Sequence, residues 1–468
     1  MQRISFWLLL LATLYVSGCT TATHRAPAPI QPTPVTAPIP EVVQPPAVIE
    51  PAMSVLPPLI IDTTTLPPAV AALPPADKFA PHLALILPLK STSTALAQSA
   101  NAVQQGFLAA ASSQLRDIPV RVYSITDESR DVIQQYRQAM ANGALAVAGP
   151  LTRPGVTVLA AYPGITVPTL ALNTTEQKSE SNKLYFFGLI PEAEARQIAQ
   201  MAFAAKLNNA TIINTGTALA KRLSAAFADE WKKLGGNLTA EVMYKEGDEA
   251  SVLTNLPTAA WLVEPVVAPP ITVISEAGEI STIAAKRSGP PPVAPGNVAF
   301  LAGDNRLARL IRPYLNPSLP VYATSQLFNI NADTLTNYDL NDIRFVDMPW
   351  LLQPDHAAVM IYPKPAVPLD TDRERLYAYG IDAYRLIHTL LNNKQAGAFP
   401  LDGVTGRIRM VENNLFQRDA VSAIFRYGRG LTPEGLAAVE AERAALKAAE
   451  AAARRALANE NTAPLPTK

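Results

Sequence analysis

The residues whose chemistry could support catalysis or metal binding are few and widely separated. Cys19 is the single cysteine, so no intramolecular disulfide can form and a cysteine-based zinc site is not expected. The four histidines include no pair at metal-ligand spacing, and the sequence lacks G-x-S-x-G, G-x-x-x-x-G-K and G-x-G-x-x-G motifs. We therefore expect a protein that is not an enzyme and that holds no metal and no cofactor. The histidines are His24, His82, His356 and His388.

Cys19 stands at the end of an N-terminal segment with the pattern of a secretory signal. A basic start containing Arg3 precedes an apolar run from Phe6 to Val16, which is shorter than the roughly 20 residues that a membrane-spanning helix needs. The run ends in Val16-Ser17-Gly18-Cys19, which resembles the lipobox of bacterial lipoproteins. The resemblance implies that residues 1–18 form a cleaved signal peptide and that Cys19 carries the lipid. The alternative is a chance cysteine at the end of a signal peptide.

The residues after Cys19 indicate where the protein is anchored and how far its folded part can extend from the membrane. Thr20 stands where an Asp is associated with inner-membrane retention in Gram-negative lipoproteins, so the resemblance implies a lipid anchor on the periplasmic side of the outer membrane. Residues 19–81 are dominated by Pro, Ala, Thr and Val. Because proline lacks a backbone donor and fixes φ, these residues predict an extended Pro-rich tether. At about 3.1 Å per residue, the tether would span on the order of 190 Å when fully extended.

The charge balance argues against an electrostatic partner. Acidic and basic residues number 39 each, and no long block of one sign occurs. Neither nucleic-acid binding nor electrostatic attraction to a membrane is therefore predicted.

From residue 82, apolar runs of strand length alternate with amphipathic segments of helical length. Continuous apolar strands between such helices indicate an α/β fold with parallel sheets flanked by helices. The pattern occurs twice, and a Pro-rich stretch at about 257–296 interrupts the second set, which predicts a disordered insertion. The segments after Trp350 are too few for a third domain and are expected to return and complete the first two. We thus predict a two-lobed domain at 82–430 and an Ala- and Glu-rich C-terminal helix or tail at 431–468.

Two such lobes with returning late segments resemble the type I periplasmic-binding-protein fold. Several phrases, in order along residues 82–430, are similar to the C-terminal domain of LpoA-type penicillin-binding protein activators. This resemblance implies an outer-membrane lipoprotein that activates a bifunctional penicillin-binding protein, the synthase that polymerises and cross-links peptidoglycan, by direct contact. The chain departs from the family in carrying a Pro-rich tether where the family has a long helical-repeat region. The phrases include Leu83-Ala-Leu-Ile-Leu-Pro-Leu89, Ala148-Gly-Pro-Leu-Thr152, Phe187-Gly-Leu-Ile-Pro-Glu192 and Asp342-Ile-Arg-Phe-Val-Asp-Met-Pro-Trp350.

The fold alone also fits a tethered periplasmic solute-binding lipoprotein for an amino-acid-like ligand. Open α/β sheets bind ligands at the carboxyl ends of their strands, and polar residues follow several predicted strands here. Hydroxyls and charges at these positions could bind a small polar ligand, and helix N-termini could hold its carboxylate. The alternative is that they cap helices and turns and that the cleft binds nothing. The candidate cleft residues are Lys90, Ser91, Thr152, Arg153, Asn173, Thr174, Thr324 and Ser325.

Overall fold

The computed structural model describes residues 80–114, 118–244, 293–392 and 399–461, together with Gly247 and four short strands between residues 245 and 292. These residues belong to one compact unit, Leu73–Lys468. The predicted signal peptide, Cys19 and nearly all of the predicted tether lie outside the described residues, as does most of the predicted insertion. Among the helices described, none is both long and apolar enough to cross a membrane.

The first lobe contains an eight-stranded sheet. Its strands are β1 (His82–Leu87), β2 (Val120–Ser124), β3 (Ala144–Ala148), β4 (Thr169–Ala171), β5 (Leu184–Phe187), β15 (Leu401–Asp402), β16 (Arg407–Val411) and β17 (Leu415–Asp419). Their order across the sheet is β15-β16-β17-β5-β4-β3-β1-β2. All six residues of β1 are buried, which agrees with a strand covered on both faces.

Helices cover both faces of this sheet. They are α1 (Thr94–Ser112), α2 (Glu128–Ala141), α3 (Arg153–Ala160) and α9 (Thr371–Leu391). The first three helices begin after a side chain that accepts a backbone N–H of the first turn, supplied by Ser93, Asp127 and Thr152. Each of these caps follows the carboxyl end of a strand, so the helix N-termini gather at one edge of the sheet.

The second lobe contains a seven-stranded sheet flanked by α4 (Pro191–Ala204), α5 (Ala218–Lys233) and α6 (Asn305–Ile311). Its strands are β6 (Asn209–Asn214), β7 (Asn237–Met243), β12 (Asn297–Ala302), β13 (Val321–Ala323), β14 (Ile343–Asp347), β18 (Val421–Arg426) and β19 (Arg429–Leu431), in the order β19-β18-β14-β13-β12-β6-β7. Between β7 and β12 lie two short antiparallel pairs: β8 (Val266–Val267) with β11 (Arg287–Ser288), and β9 (Ile271–Ile274) with β10 (Ile280–Ile283).

Within the described residues, the chain passes between the lobes at three places. The first is the link from β5 to α4, and the second is Met348, which leads from β14 to α7 (Pro349–Leu352) and α8 (Ala357–Met360) in the core of the first lobe. The third is Ala420, the one residue between β17 and β18. The final helix, α10 (Pro433–Asn461), contacts β18 and β19, and its described side chains are mostly exposed.

The late segment returns to both lobes, as the sequence predicted. β17 pairs parallel with β5 and antiparallel with β16, whereas β18 pairs antiparallel with β14. The two-lobed α/β fold is therefore as expected, but each sheet is parallel at its centre and mixed at one edge. The difference arises because the late strands are joined by short connections, which allow antiparallel pairing without a crossover helix.

Helices α1 and α9 pack in direct backbone contact. A Cβ atom on Gly106 would overlap the carbonyl oxygen of Tyr377, and one on Gly380 would overlap that of Val103. Phe107 stacks edge-on against Tyr384 beside this contact, with ring centroids 5.3 Å apart. Glycine is therefore required on both helices to bring α9 close enough to seal the core of the first lobe.

Candidate functional site between the lobes

The sequence-predicted residues of the first lobe come together after β3 and β4. Thr152 caps α3 and Arg153 begins it, while the Nδ2 of Asn173 donates to the carbonyl oxygen of Leu151 at 3.0 Å. Arg153 and Thr174 line one hollow of about 550 Å³. Thr152 and Asn173 are their neighbours in the chain, so these four residues lie in the two turns that follow β3 and β4.

Lys90 and Ser91 lie in the turn after β1. The Lys90 side chain is exposed, and its backbone N–H donates to the carbonyl oxygen of Ile125 at 3.1 Å. The Oγ of Ser91 accepts the N–H of Ser93 at 3.2 Å, directly before α1. The described hydrogen bonds of both residues therefore order the turn that leads into this helix.

Thr324 and Ser325 follow β13 but are buried, with 0% and 3% of their surface exposed. The Ser325 N–H donates to Oε2 of Glu194 at 3.1 Å, and its carbonyl oxygen accepts Nη2 of Arg375 at 2.8 Å. The Oγ1 of Thr324 is buried without a hydrogen-bond partner among the described residues. These two residues belong to the contact between the lobes rather than to an open wall.

Helix α9 of the first lobe is fastened to the second lobe by Arg375. Its guanidinium makes a bidentate ion pair with Asp347 at the end of β14, with Nε–Oδ1 at 3.1 Å and Nη2–Oδ2 at 2.7 Å. The same Nη2 donates to the carbonyl oxygen of Phe328 at 3.0 Å. Because Asp347 is fully buried, this charge pair contacts protein on all sides.

Thr371, one turn earlier on α9, extends this connection. Its Oγ1 donates to Oδ1 of Asn329 at 2.9 Å and accepts the N–H of Ile330 at 3.1 Å. The three side chains of Arg375, Asp347 and Thr371 are referred to below as the interlobe clamp. Together they fix the start of α9 against the loop that follows β13.

A second buried ion pair joins the lobes beside the third crossover. Arg418 on β17 pairs with Glu194 in the first turn of α4, and the two side chains are only 7% and 6% exposed. Gln197, one turn along α4, brackets Ala420: its Nε2 donates to the carbonyl oxygen at 2.8 Å and its Oε1 accepts the N–H at 3.0 Å. The protein's own side chains thus hold the lobes together at two crossovers.

Burial and charge oppose each other within the interlobe clamp. Burial is the largest influence on Asp347 and leaves the pKa of its carboxyl raised, although the charge and hydrogen bonds of Arg375 act against the rise. Asp347 in turn raises the pKa of Arg375 against the effect of burial. The ionised carboxylate therefore depends on its guanidinium partner, and removal of that partner would favour uptake of a proton.

Glu192 lies in the first turn of α4 and pairs with α5. Its Oε1 accepts Nε of Arg222 on α5 at 2.5 Å, while its Oε2 is buried without a partner among the described residues. Burial opposes ionisation, but the hydrogen bond and charge of Arg222 together with the charge of Arg153 lower the pKa of the Glu192 carboxyl. A carboxylate of the second lobe is thus within electrostatic reach of a sequence-predicted residue of the first.

Replacement of Arg222 by glutamine is expected to raise the pKa of Glu192, because the carboxylate loses a charged donor. A folded-state pKa below the unfolded value contributes stability at neutral pH that is lost as the pH falls through the folded-state pKa. The stability difference between wild type and Arg222→Gln should therefore be largest near pH 7 and shrink in acid. Carboxyl NMR titration and urea unfolding across this range measure both effects, and an unchanged Glu192 pKa would contradict the assignment.

The arrangement offers hydrogen bonding and charge pairing. Across the parts of the chain that the structure describes, no group of three or more His, Cys, Asp or Glu side chains is placed to hold a metal ion. The charged groups at the crossovers bind each other and backbone carbonyl or amide groups. These contacts set the relative position of the two lobes.

The family can be assigned from the match of the whole two-lobed region. The model of the LppC putative lipoprotein family matches residues 64–428, which is more than half of the chain. The chain belongs to this family. Among curated proteins, the penicillin-binding protein activator LpoA of Yersinia pseudotuberculosis is 28% identical over an alignment of 307 residues. The match covers 62% of this LppC-family chain and 46% of the relative. LpoA of Pantoea ananatis is 27% identical over an alignment of 346 residues, and the match covers 71% of this chain and 50% of the relative.

This LppC-family chain thus spans about half the length of the curated relatives it matches. Among solved structures, a protein from Chromobacterium violaceum described as a putative branched-chain amino acid ABC transporter is 34% identical. The TM-score is 0.56, and the match covers 74% of this chain and all of that one. The LpoA C-domain of Haemophilus influenzae is 21% identical with a TM-score of 0.56, covers 75% of this chain and 99% of its own, and shows the fold alone.

Of the charged residues at the crossovers of this LppC-family chain, the sequence indicated only Asp347, and it did not indicate Glu194, Arg375 or Arg418. Glu194 and Arg418 are 224 positions apart, and Arg375 and Asp347 are 28 apart, so no local motif joins them. One signal was available: Asp347 lies in the phrase ending at Trp350 that carried the family resemblance. A charged residue at the end of an apolar strand, directly before a chain crossover, is a reasonable marker for such a contact.

Proposed function

We propose that this chain is a lipid-anchored regulator that stimulates a bifunctional penicillin-binding protein in peptidoglycan synthesis by direct protein contact. The observation that carries the proposal is the match to curated penicillin-binding protein activators over 62% and 71% of this chain. The anchor is the acyl group on Cys19, and the compartment is the periplasmic side of the outer membrane. Residues 19–81 serve as the tether that delivers the domain to a synthase in the inner membrane.

The way the lobes are joined supports a role in protein contact. A surface used to bind and stimulate another protein loses less conformational freedom on binding when its parts are already fixed. The interlobe clamp and the Glu194–Arg418 pair fix the lobes through buried groups of the protein itself. The domain is thus suited to present one surface built from both lobes.

The deciding experiment measures the glycan-polymerising and cross-linking rates of the bifunctional synthases of the same organism. Each synthase is assayed in detergent with the purified full chain, and with heat-denatured chain as the control. We expect a severalfold increase in the rate of one synthase, together with saturable binding to it. Absence of both stimulation and binding for every synthase would overturn the proposal.

A solute-binding lipoprotein is the second candidate, and one observation favours it. The solved structure with 34% identity to this chain is described as a putative branched-chain amino acid ABC transporter. Isothermal titration of the full chain with leucine separates the two candidates. Leucine binding without stimulation of any synthase would establish the second candidate and remove the first.

A further inference from the structure

Glu128, the first residue of α2, is a buried carboxylate at the carboxyl ends of the first-lobe strands. Only 2% of its surface is exposed. Its Oε1 accepts the backbone N–H of Leu151 at 2.8 Å, and its Oε2 accepts that of Thr152 at 2.5 Å. Each carboxylate oxygen is therefore bound by one amide of the turn that leads from β3 into α3.

The turn around this carboxylate leaves room for it. A Cβ atom on Gly155 would lie 2.7 Å from Cβ of Glu128 and 3.1 Å from its Oε2, so a larger residue there would displace the carboxylate. The amide of Asn173 holds the same turn from its other side through the carbonyl oxygen of Leu151. Backbone and side-chain contacts thus form a defined pocket for one carboxylate group.

The chemistry of this pocket is that of an anion site. Two converging backbone N–H groups and the N-terminus of α3 favour a negative charge. No lysine or arginine forms an ion pair with Glu128 among the described residues. Burial raises the pKa of its carboxyl, and the hydrogen bonds from the Leu151 amide and from the side chain and amide of Thr152 act against the rise. In open α/β folds this end of the sheet is where ligands bind.

We propose that the amides of Leu151 and Thr152 form a carboxylate-binding site whose permanent occupant is the side chain of Glu128. The first-lobe wall of the cleft is consequently filled by the protein itself and accepts no carboxylate of a free amino acid. The occupied site can be tested without a synthase, so a failure of this proposal can be told apart from a failure of the proposed function.

The test removes the Glu128 carboxylate and offers free acetate in its place. Full-length Glu128→Ala is melted with sodium acetate, and with acetamide as the neutral analogue of the same shape. We expect its Tm to be below that of wild type and to rise with acetate but not with acetamide, since a ligand that binds only the folded state raises its stability. The control Glu180→Ala removes an exposed carboxylate and should show no specific response to acetate. Equal responses of Glu128→Ala and Glu180→Ala would overturn the proposal.

A second variant keeps the test valid if Glu128→Ala does not fold. Glu128→Gln retains the size of the side chain but places an NH₂ group against one of the two amides. We expect faster hydrogen exchange at Leu151 or Thr152 than in wild type, with other amides of the first lobe unchanged. In wild type, leucine should neither bind in titration nor slow exchange at these two amides. Leucine binding that protects Thr152 would show an external ligand in the site and overturn the proposal.

Discussion

Replacement of Arg375 by methionine is expected to lower the free energy of unfolding by about 3–5 kcal/mol, the range for breaking a buried ion pair from one side. Asp347 has 0% of its surface exposed and takes two guanidinium bonds from Arg375. Without them, the carboxylate is buried and uncompensated. The same substitution also releases the carbonyl oxygens of Ser325 and Phe328. The loss is measured by urea unfolding at neutral pH.

A matched control lies two residues away on the same helix. Arg373 pairs with Asp370, which is 51% exposed, so Arg373→Met should leave the unfolding midpoint nearly unchanged. In the double variant Arg375→Met with Asp347→Asn, neither ion remains, and the loss should be smaller than the sum of the two single losses. Equal effects of Arg375→Met and Arg373→Met would show that the interlobe clamp does not stabilise the fold.

Replacement of Gly380 by alanine is expected to destabilise the protein by about 2–3 kcal/mol, at the upper end of typical overpacking. Alanine favours a helix over glycine by about 1 kcal/mol, so helix propensity alone predicts the opposite sign. The added Cβ would overlap the carbonyl oxygen of Val103, a backbone atom that cannot rotate away. Helices α1 and α9 must therefore separate, which opens the core of the first lobe.

Gly435→Ala is the control for helix propensity. Gly435 also lies in a helix, α10, and a Cβ there would meet Oγ1 of Thr432 only at an ordinary contact distance of 3.4 Å. This substitution should be neutral or slightly stabilising in thermal unfolding. If Gly380→Ala were as stable as Gly435→Ala, the close approach of α1 and α9 would be wrong.

The central elements could be predicted because their hydrophobic pattern is local. The apolar segments at residues 83–87 and 144–148 lie in β1 and β3, and the amphipathic segment at residues 372–391 lies in α9. The antiparallel edges could not be predicted in this way. The pairing of β18 with β14 depends on where the chain crosses between the lobes, and residues near positions 344 and 424 carry no local signal of their contact.

The sequence could predict the candidate site only for residues that come directly after a strand. Thr152, Arg153, Asn173 and Thr174 were expected on one surface because parallel strands end at one edge, and the structure brings them together. Thr324 and Ser325 follow a strand by the same rule, yet they are buried. The rule predicts where the strand ends but not which elements pack against that end. Here Glu194 on α4 and Arg375 on α9 both bind the backbone of Ser325.

Ala420 has a consequence for how the chain can fold. Because one residue separates β17 from β18, a single stretch of backbone completes one edge of each sheet. Neither lobe can close that edge until synthesis has delivered the chain beyond residue 415. Until then, β5 and β14 present unpaired edges of the kind that recruit other chains. The sheets of both lobes are therefore completed late and by the same short stretch of chain, although their first strands are made hundreds of residues earlier.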